Sequence, residues 1–250
     1  MKVNLSEIPT TPPSDVDRDD LEEMTKKYHR EIAEYQRRLY AEGKHSLLVV
    51  FQGMDASGKS GIVRETFSRV NPLGVRVFTF KRPTELEFAH DFLWRVHDRV
   101  PDQGRIHVFD RSHYEDVLIQ RVHHWIDEKR VFQRFKHINN FEELLIEENN
   151  TTILKFYLHI SPEEQLERLD DRKKIHSKRW KYNANDYEER KHWDAYMAAY
   201  ESVFENCSKA AEWNIIPTDK NWYKEYLVAK KICETFERLN PQYPDIIIEE

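Results

Sequence analysis

Apolar positions divide the chain into two regimes. From Leu21 to Glu42 they recur at three- or four-residue steps (Leu21, Met24, Tyr28, Ile32, Tyr35, Leu39), the period of a helix with one buried face. Gly43 follows as a helix stop. Beyond it the pattern changes to short continuous runs: Ser46 to Phe51, Val75 to Phe80, Ile106 to Phe109, Ile153 to Ile160 and, more weakly, Trp213 to Ile216. Runs of this kind read as strands buried on both faces, the environment of a parallel sheet. Helical stretches separate them. Thr84 and Glu87 stand at capping-box spacing before one, and Ser161 with Pro162 opens another. The alternation predicts an α/β fold with a parallel five-stranded sheet between helical layers.

The expected organisation is an N-terminal arm and helix over 1–44, one domain over 45–240, and a C-terminal tail over 241–250. Residues 1–20 look loose, because Thr10 to Ser14 and the acidic run Asp15 to Asp20 offer no core face.

Composition narrows the function classes. Formal charge is −6, which argues against a nucleic-acid footprint, so any anion site must be a local basic patch. The two cysteines, Cys207 and Cys233, lie far apart, which disfavours a disulfide framework or a zinc cluster. Residues 1–13 lack the apolar core of a signal peptide, and no run approaches the ~20 residues of a membrane span. A cytoplasmic protein with no nucleic-acid and no membrane partner is the expectation.

The strongest chemical signal is Gly53-Met54-Asp55-Ala56-Ser57-Gly58-Lys59-Ser60, which fits G-x-x-x-x-G-K-[ST] at every fixed position. It directly follows a predicted strand and opens a predicted helix, Gly61 to Val70. Such a loop wraps a phosphate with inward backbone N–H groups, and the helix N-terminus adds partial positive charge. Lys59 can reach the phosphoryl group to be moved, and Ser60 can ligate Mg²⁺ (or Mn²⁺). The chain has six glycines, and Gly53, Gly58 and Gly61 fall here. Asp55 would repel a phosphate unless a cation lies between them. It reads as a metal ligand or a group that orients the acceptor, or else as a turn residue capping the helix.

A second acidic position, Asp110, ends the strand Ile106 to Phe109, where P-loop folds hold the metal or its water. Arg111 follows, placed to contact a phosphoryl oxygen. Glu115 and Asp116 open the next predicted helix, where a dipole role is also available. His123 and His124 lack metal spacing. Farther on, Arg168, Arg172, Lys173, Lys174, Lys178, Arg179 and Lys181 crowd one stretch after the fourth strand. That is where P-loop nucleotide kinases carry a mobile lid, and a basic lid would neutralise phosphate charge and exclude water. Trp180 reads as a hinge anchor or as a base-stacking surface.

These motifs, together with VFTFKRPTE, AHDFLWRVH, FDRSHYEDVL, KRWKYNANDYEERKHWDAYMAAYE and IIPTDKNWY, closely resemble the type-2 polyphosphate kinases from about Leu39 to Leu239. The resemblance implies a P-loop kinase three-layer fold with a helical lid at about 168–190. It also implies reversible, Mg²⁺-dependent transfer of the terminal phosphoryl group of inorganic polyphosphate to ADP or GDP. By the same likeness, Asp55 and Asp110 are metal-binding carboxylates and Lys59 the P-loop lysine. Lys81, Arg111, His113 and Arg121 line the polyphosphate path. Arg172, Trp180, Lys178 and Lys181 belong to the lid, with Asp186 just beyond it. The segment around Glu115 resembles the subgroup that accepts AMP (and GMP) as well. A homo-oligomer is also implied, with the aromatic-rich helix Trp193 to Phe204 readable as interface or as core. Two positions differ from many members, Ser60 after the lysine and Asp110 before the arginine. Both move the site toward an ordinary Mg-ATP loop, so the alternative reading is an ATP-dependent nucleoside monophosphate kinase of the thymidylate-kinase type.

Overall fold

The structure, a computed structural model, describes residues 3–245. Residues 1–2 of the expected arm and 246–250 of the expected tail lie outside the described residues.

Five strands form one sheet: β1 (Ser46–Gly53), β2 (Val75–Thr79), β3 (Ile106–Asp110), β4 (Thr151–His159) and β5 (Trp213–Pro217). Their spatial order is β2-β3-β1-β4-β5, and every pairing is parallel. Every residue of β1 is buried, as its unbroken apolar run requires, whereas the edge strand β2 is largely half-exposed or exposed.

Because side chains alternate across a strand, β1 feeds two cores. Leu47, Val49 and Phe51 pack toward α1 (Arg18–Glu42), α2 (Lys59–Thr66) and α10 (Asn221–Leu239), through Ile32, Ile62, Val228 and Phe236. Leu48 and Val50 face the opposite way. There they join Val131, Phe135 and Ile138 of α6 (Glu128–Asn149) and Tyr200, Val203 and Phe204 of α9 (Trp193–Asn206). The three-layer arrangement is thus two helical layers across a parallel sheet. Short α3 (Glu85–Phe88), α4 (Trp94–His97) and α5 (Ile119–Val122) fill the connections around β2 and β3. After β4 come α7 (Pro162–Lys174) and α8 (Asn185–Glu189).

Local signals behave as their chemistry demands. Asp17 caps α1, and Gly43 ends it in the left-handed conformation at φ 61°. Thr84 and Glu87 form the reciprocal capping box. The arm is less loose than its composition suggests. Leu5 is buried in the α9-side core, and its amide donates to Glu201 at 2.8 Å. The Ile8 carbonyl lies 3.1 Å from His159 Nε2, and Thr10 Oγ1 donates to Asp219 at 2.6 Å. One buried apolar residue and three hydrogen bonds tie it down. On α9, Tyr196, Tyr200 and Phe204 are buried in the core, and Trp193 packs against it partly buried.

A charged group interrupts the apolar run of β4. Lys155, mid-β4 and fully buried, donates to Glu142 Oε2 at 2.6 Å, to Tyr114 Oη at 3.0 Å and to the Cys207 carbonyl at 2.7 Å. A buried ammonium is tolerable only when paired and hydrogen-bonded in this way. Tyr114 also donates to Glu142 Oε1 at 2.7 Å, so the network anchors the segment after β3 from beneath.

Candidate active site

The turn from β1 to α2 is a tight loop with unusual backbone angles. Gly53 has φ 153° and Gly58 φ 97°, and Ala56 adopts φ 63°. A Cβ on Gly53 would stand 2.8 Å from the Leu158 carbonyl oxygen, so only glycine fits against β4 there. Outward-turned carbonyls are held by α7. Gln165 Nε2 donates to Asp55 O at 3.0 Å, and Arg168 Nη1 donates to Ala56 O at 3.2 Å and Ser57 O at 3.3 Å. Carbonyls fixed outward suit a loop that offers its amides to an anion. Lys59 begins α2 and is buried, its ammonium donating to Gly53 O at 2.7 Å and Met54 O at 3.0 Å. Burial pushes its pKa down, helped by Arg111 and opposed by Asp55, Asp110 and Glu115.

Parallel pairing brings the second acidic position alongside. Phe51 of β1 is in register with Asp110 of β3, so the two strand ends meet at the carboxyl edge of the sheet. Ser60 Oγ donates to Asp110 Oδ2 at 2.6 Å. Arg111 turns sharply, at φ 64°, with its amide donating to Phe51 O at 3.0 Å. That turn aims its guanidinium across the loop to pair with Asp55, while Glu115 lies 3.8 Å away. Burial alone would raise the Asp55 pKa, but Arg111, Lys59 and Arg172 outweigh it and hold the carboxyl below its ordinary range. Glu115 goes the other way: burial raises its pKa against the opposing pull of Arg111 and Lys59. Burial opposes the charge on Arg111, yet Glu115 and Asp55 keep it raised above the usual arginine range.

Of these groups, Asp55, Arg111 and Glu115 line a cavity of about 210 Å³ whose far wall comes from the lid: Asp186, Glu189 and Arg190, with Tyr196 and Tyr200 of α9. Arg172 Nη1 pairs with Asp186 Oδ2 at 2.5 Å. A larger cavity, about 550 Å³, lies on the other side of the Glu115–Asp116 step. Phe88, Phe92, Arg95, Arg130, Arg134 and His137 line it, and Asp116 forms its floor between Arg95 (3.2 Å) and Gln120 (2.5 Å).

The remaining expected site residues are placed unevenly. Lys178 pairs with Asp171 at 2.7 Å, Lys181 sits 5.0 Å from the Trp180 ring, and Trp180 itself is 80% exposed. Lys81 is exposed, with its carbonyl accepting from Arg95. Arg121 is engaged by Glu128 at 2.7 Å. His113 does not line an open path. It is fully buried, against Tyr114 and Phe141 and 3.6 Å from Glu142 Oε1. The reason is the 3₁₀ turn His113–Val117, which directs His113 and Tyr114 into the core and leaves Glu115 toward the cavity.

Comparison with known proteins gives the family. The sequence pattern of the family Polyphosphate kinase 2 (PPK2) matches residues 15–244. The chain belongs to the polyphosphate kinase 2 family. It is 49% identical, over 86% of its length and 81% of the relative's, to the AMP/ADP-polyphosphate phosphotransferase of Meiothermus ruber. It is 39% identical to the ADP-polyphosphate phosphotransferase of Rhodopseudomonas palustris, over 98% of this chain and 89% of that one. The crystal structure of Polyphosphate Kinase 2 from Arthrobacter aurescens TC1 superposes with TM-score 0.95 at 38% identity, covering 99% of this chain and 90% of that one. The chain is therefore a phosphotransferase on a P-loop kinase fold.

Within that family frame, sequence reasoning had missed several wall residues. Gln165, Arg190 and Glu189 join the cavity through contacts distant in sequence. Arg190 Nη1 donates to Gln165 Oε1 at 2.8 Å, and Glu189 lies 2.9 Å from His123 Nε2 and accepts from Tyr196 Oη at 2.8 Å. In the sequence, Glu189 and Arg190 are marked only by the density of charge in 183–192, and no pattern marks Gln165. Among the described residues, no helix is long and apolar enough to cross a membrane.

Proposed function

We propose that this enzyme transfers the terminal phosphoryl group of inorganic polyphosphate to AMP and ADP, and to the guanine counterparts, reversibly and with Mg²⁺. The observation that carries the reading is the junction of two strand ends. There Lys59, Arg111 and the phosphate loop face Asp55 and the Ser60–Asp110 pair. The relatives named above for polyphosphate and AMP or ADP support the donor and acceptor.

The attacking phosphate oxygen of a nucleotide is already ionised near neutral pH, so no strong base is required. The obstacle is repulsion between two polyanions. The loop amides and Lys59 bind the donor's end, and Arg111 faces the oxygens that gain charge in transfer. Asp55, held ionised, keeps Arg111 oriented across the loop. Arg172 and the other lid cations close the remaining side and exclude water.

Mg²⁺ fits this donor set. Asp55, Asp110 and Ser60 offer hard oxygen ligands, the hydrogen bond between Ser60 and Asp110 already brings two of them together, and Mg²⁺ normally takes its other ligands from phosphate and water. When bound, it supplies charge neutralisation between donor and acceptor oxygens. The cavity beyond Asp116 combines aromatic and basic walls, the mixture a nucleotide base and its phosphate need, and is assigned to the acceptor. A homo-oligomer in the cytoplasm accompanies this reading by family likeness.

The test is a donor comparison. The protein, Mg²⁺ and AMP or ADP are incubated with long-chain polyphosphate or with ATP, and nucleotides are resolved by chromatography. ADP and ATP formed only with polyphosphate are expected. ADP formed from AMP with ATP as donor, and none with polyphosphate, would make this a conventional nucleoside monophosphate kinase.

A further inference from the structure

The outer side of the phosphate loop carries a second cationic group. Lys224, in the first turn of α10, is 2% exposed. Its ammonium lies so close to the loop that a Cβ on Gly58 would stand 2.6 Å from Nζ, with Arg168 Nη1 3.6 Å from the same point. Arg168 is compensated: it pairs with Glu164 at 2.8 Å and donates to loop carbonyls and to Thr218 O at 2.6 Å. Lys224 is not compensated in the same way. Its one hydrogen bond among the described residues goes to Asn221 Oδ1 at 2.8 Å, a neutral amide.

That arrangement is costly for a buried ammonium. Burial pushes its pKa down to about 8, and Arg168 on α7 adds to the effect, while Glu225 of α10 and Glu65 of α2 only partly oppose it. The contrast with Lys155 is direct: that buried lysine has a carboxylate at 2.6 Å and two further acceptors. A buried cation with no ion pair among the described residues, beside an anion-binding loop, has an evident complement, a further anionic group of the ligand that the loop holds.

We propose that Lys224 is a donor-binding residue that stabilises the phosphoryl units following the one held at the loop, so that the polyphosphate chain leaves the site over Gly58 between α7 and α10. The assignment rests on polyphosphate being the donor. The electrostatics are favourable because one ligand charge removes the desolvation cost of an ammonium already in place. The acceptor nucleotide, on the Glu115–Asp116 side of the loop, would not feel it.

Calorimetric titration of tripolyphosphate, and separately of AMP, into wild-type protein and the Lys224→Met and Lys224→Gln variants tests this. The expected result is a loss of tripolyphosphate affinity of about tenfold or more in both variants, as for a charge-assisted contact, with AMP affinity within about twofold of wild type. Unchanged tripolyphosphate affinity, equal losses for both ligands, or unfolding of both variants would overturn the assignment and leave Lys224 a structural residue. Because the titration needs no turnover, it separates from the donor reading. A wild-type protein that binds tripolyphosphate through Lys224 but transfers nothing from it would refute the proposed function, not the contact.

Discussion

The two walls of the site, the phosphate loop and the lid, are built differently. On the loop wall, Lys59 is 7% and Asp110 6% exposed, and each charged group is cross-braced: Lys59 to loop carbonyls, Ser60 to Asp110, Asp55 to Arg111. On the lid wall, the Lys178–Asp171 pair is 47% and 34% exposed and Trp180 stands in solvent. Exposed pairs of that kind are worth roughly 0–1 kcal/mol, so lid cations can exchange carboxylate partners for phosphate at little cost. The loop wall is preorganised and the lid wall adaptable. Arg172 links them, since it pairs with Asp186 of the lid and also helps depress the pKa of Asp55.

If this division is right, substitutions should rank by wall. Lys59→Ala should lower kcat by about 10²–10³-fold while circular dichroism and thermal unfolding show an intact fold, because a fixed donor aimed at transferring oxygens is lost. Asp55→Asn should follow, with a loss of about 10²-fold and a higher Mg²⁺ requirement, read from kcat across a Mg²⁺ titration. Turnover near wild type in either variant would remove that residue from the mechanism. Arg172→Ala, at the hinge between the walls, should cost about tenfold in kcat/KM, most of it in KM for polyphosphate. Trp180→Ala should change KM by only about two- to threefold and leave kcat alone, as for an exposed group gaining contacts on closure. A Trp180 effect as large as that of Lys59 would contradict the comparison itself.

Much of this is legible in the sequence. All five strands fall where the apolar runs lie, because a strand buried on both faces tolerates little else, and the loop declares itself through glycines whose φ values no other residue adopts easily. Asp110 and Arg111 were legible because parallel pairing must bring the end of β3 beside the end of β1. What escaped was direction and partnership. His113 is polar and adjacent to site residues, yet a single 3₁₀ turn sends it inward. The arm reads as loose by composition, yet Leu5 and Thr10 find partners near residues 201 and 219, contacts that no local pattern encodes. Lys155 and Lys224 look alike in sequence, and only the fold shows that one is fully paired and the other faces a phosphate loop.

The central claim is that the terminal phosphoryl group of polyphosphate moves to a nucleotide at the Lys59 loop. Phosphorus NMR of tripolyphosphate and AMP with Mg²⁺, run with wild-type and Lys59→Ala protein, tests it most directly. The account predicts that the wild type forms one ADP and one pyrophosphate for each tripolyphosphate and AMP consumed, and that Lys59→Ala does so at least ~10²-fold more slowly. ADP appearing without loss of tripolyphosphate, or conversion at equal rates by both proteins, would contradict it.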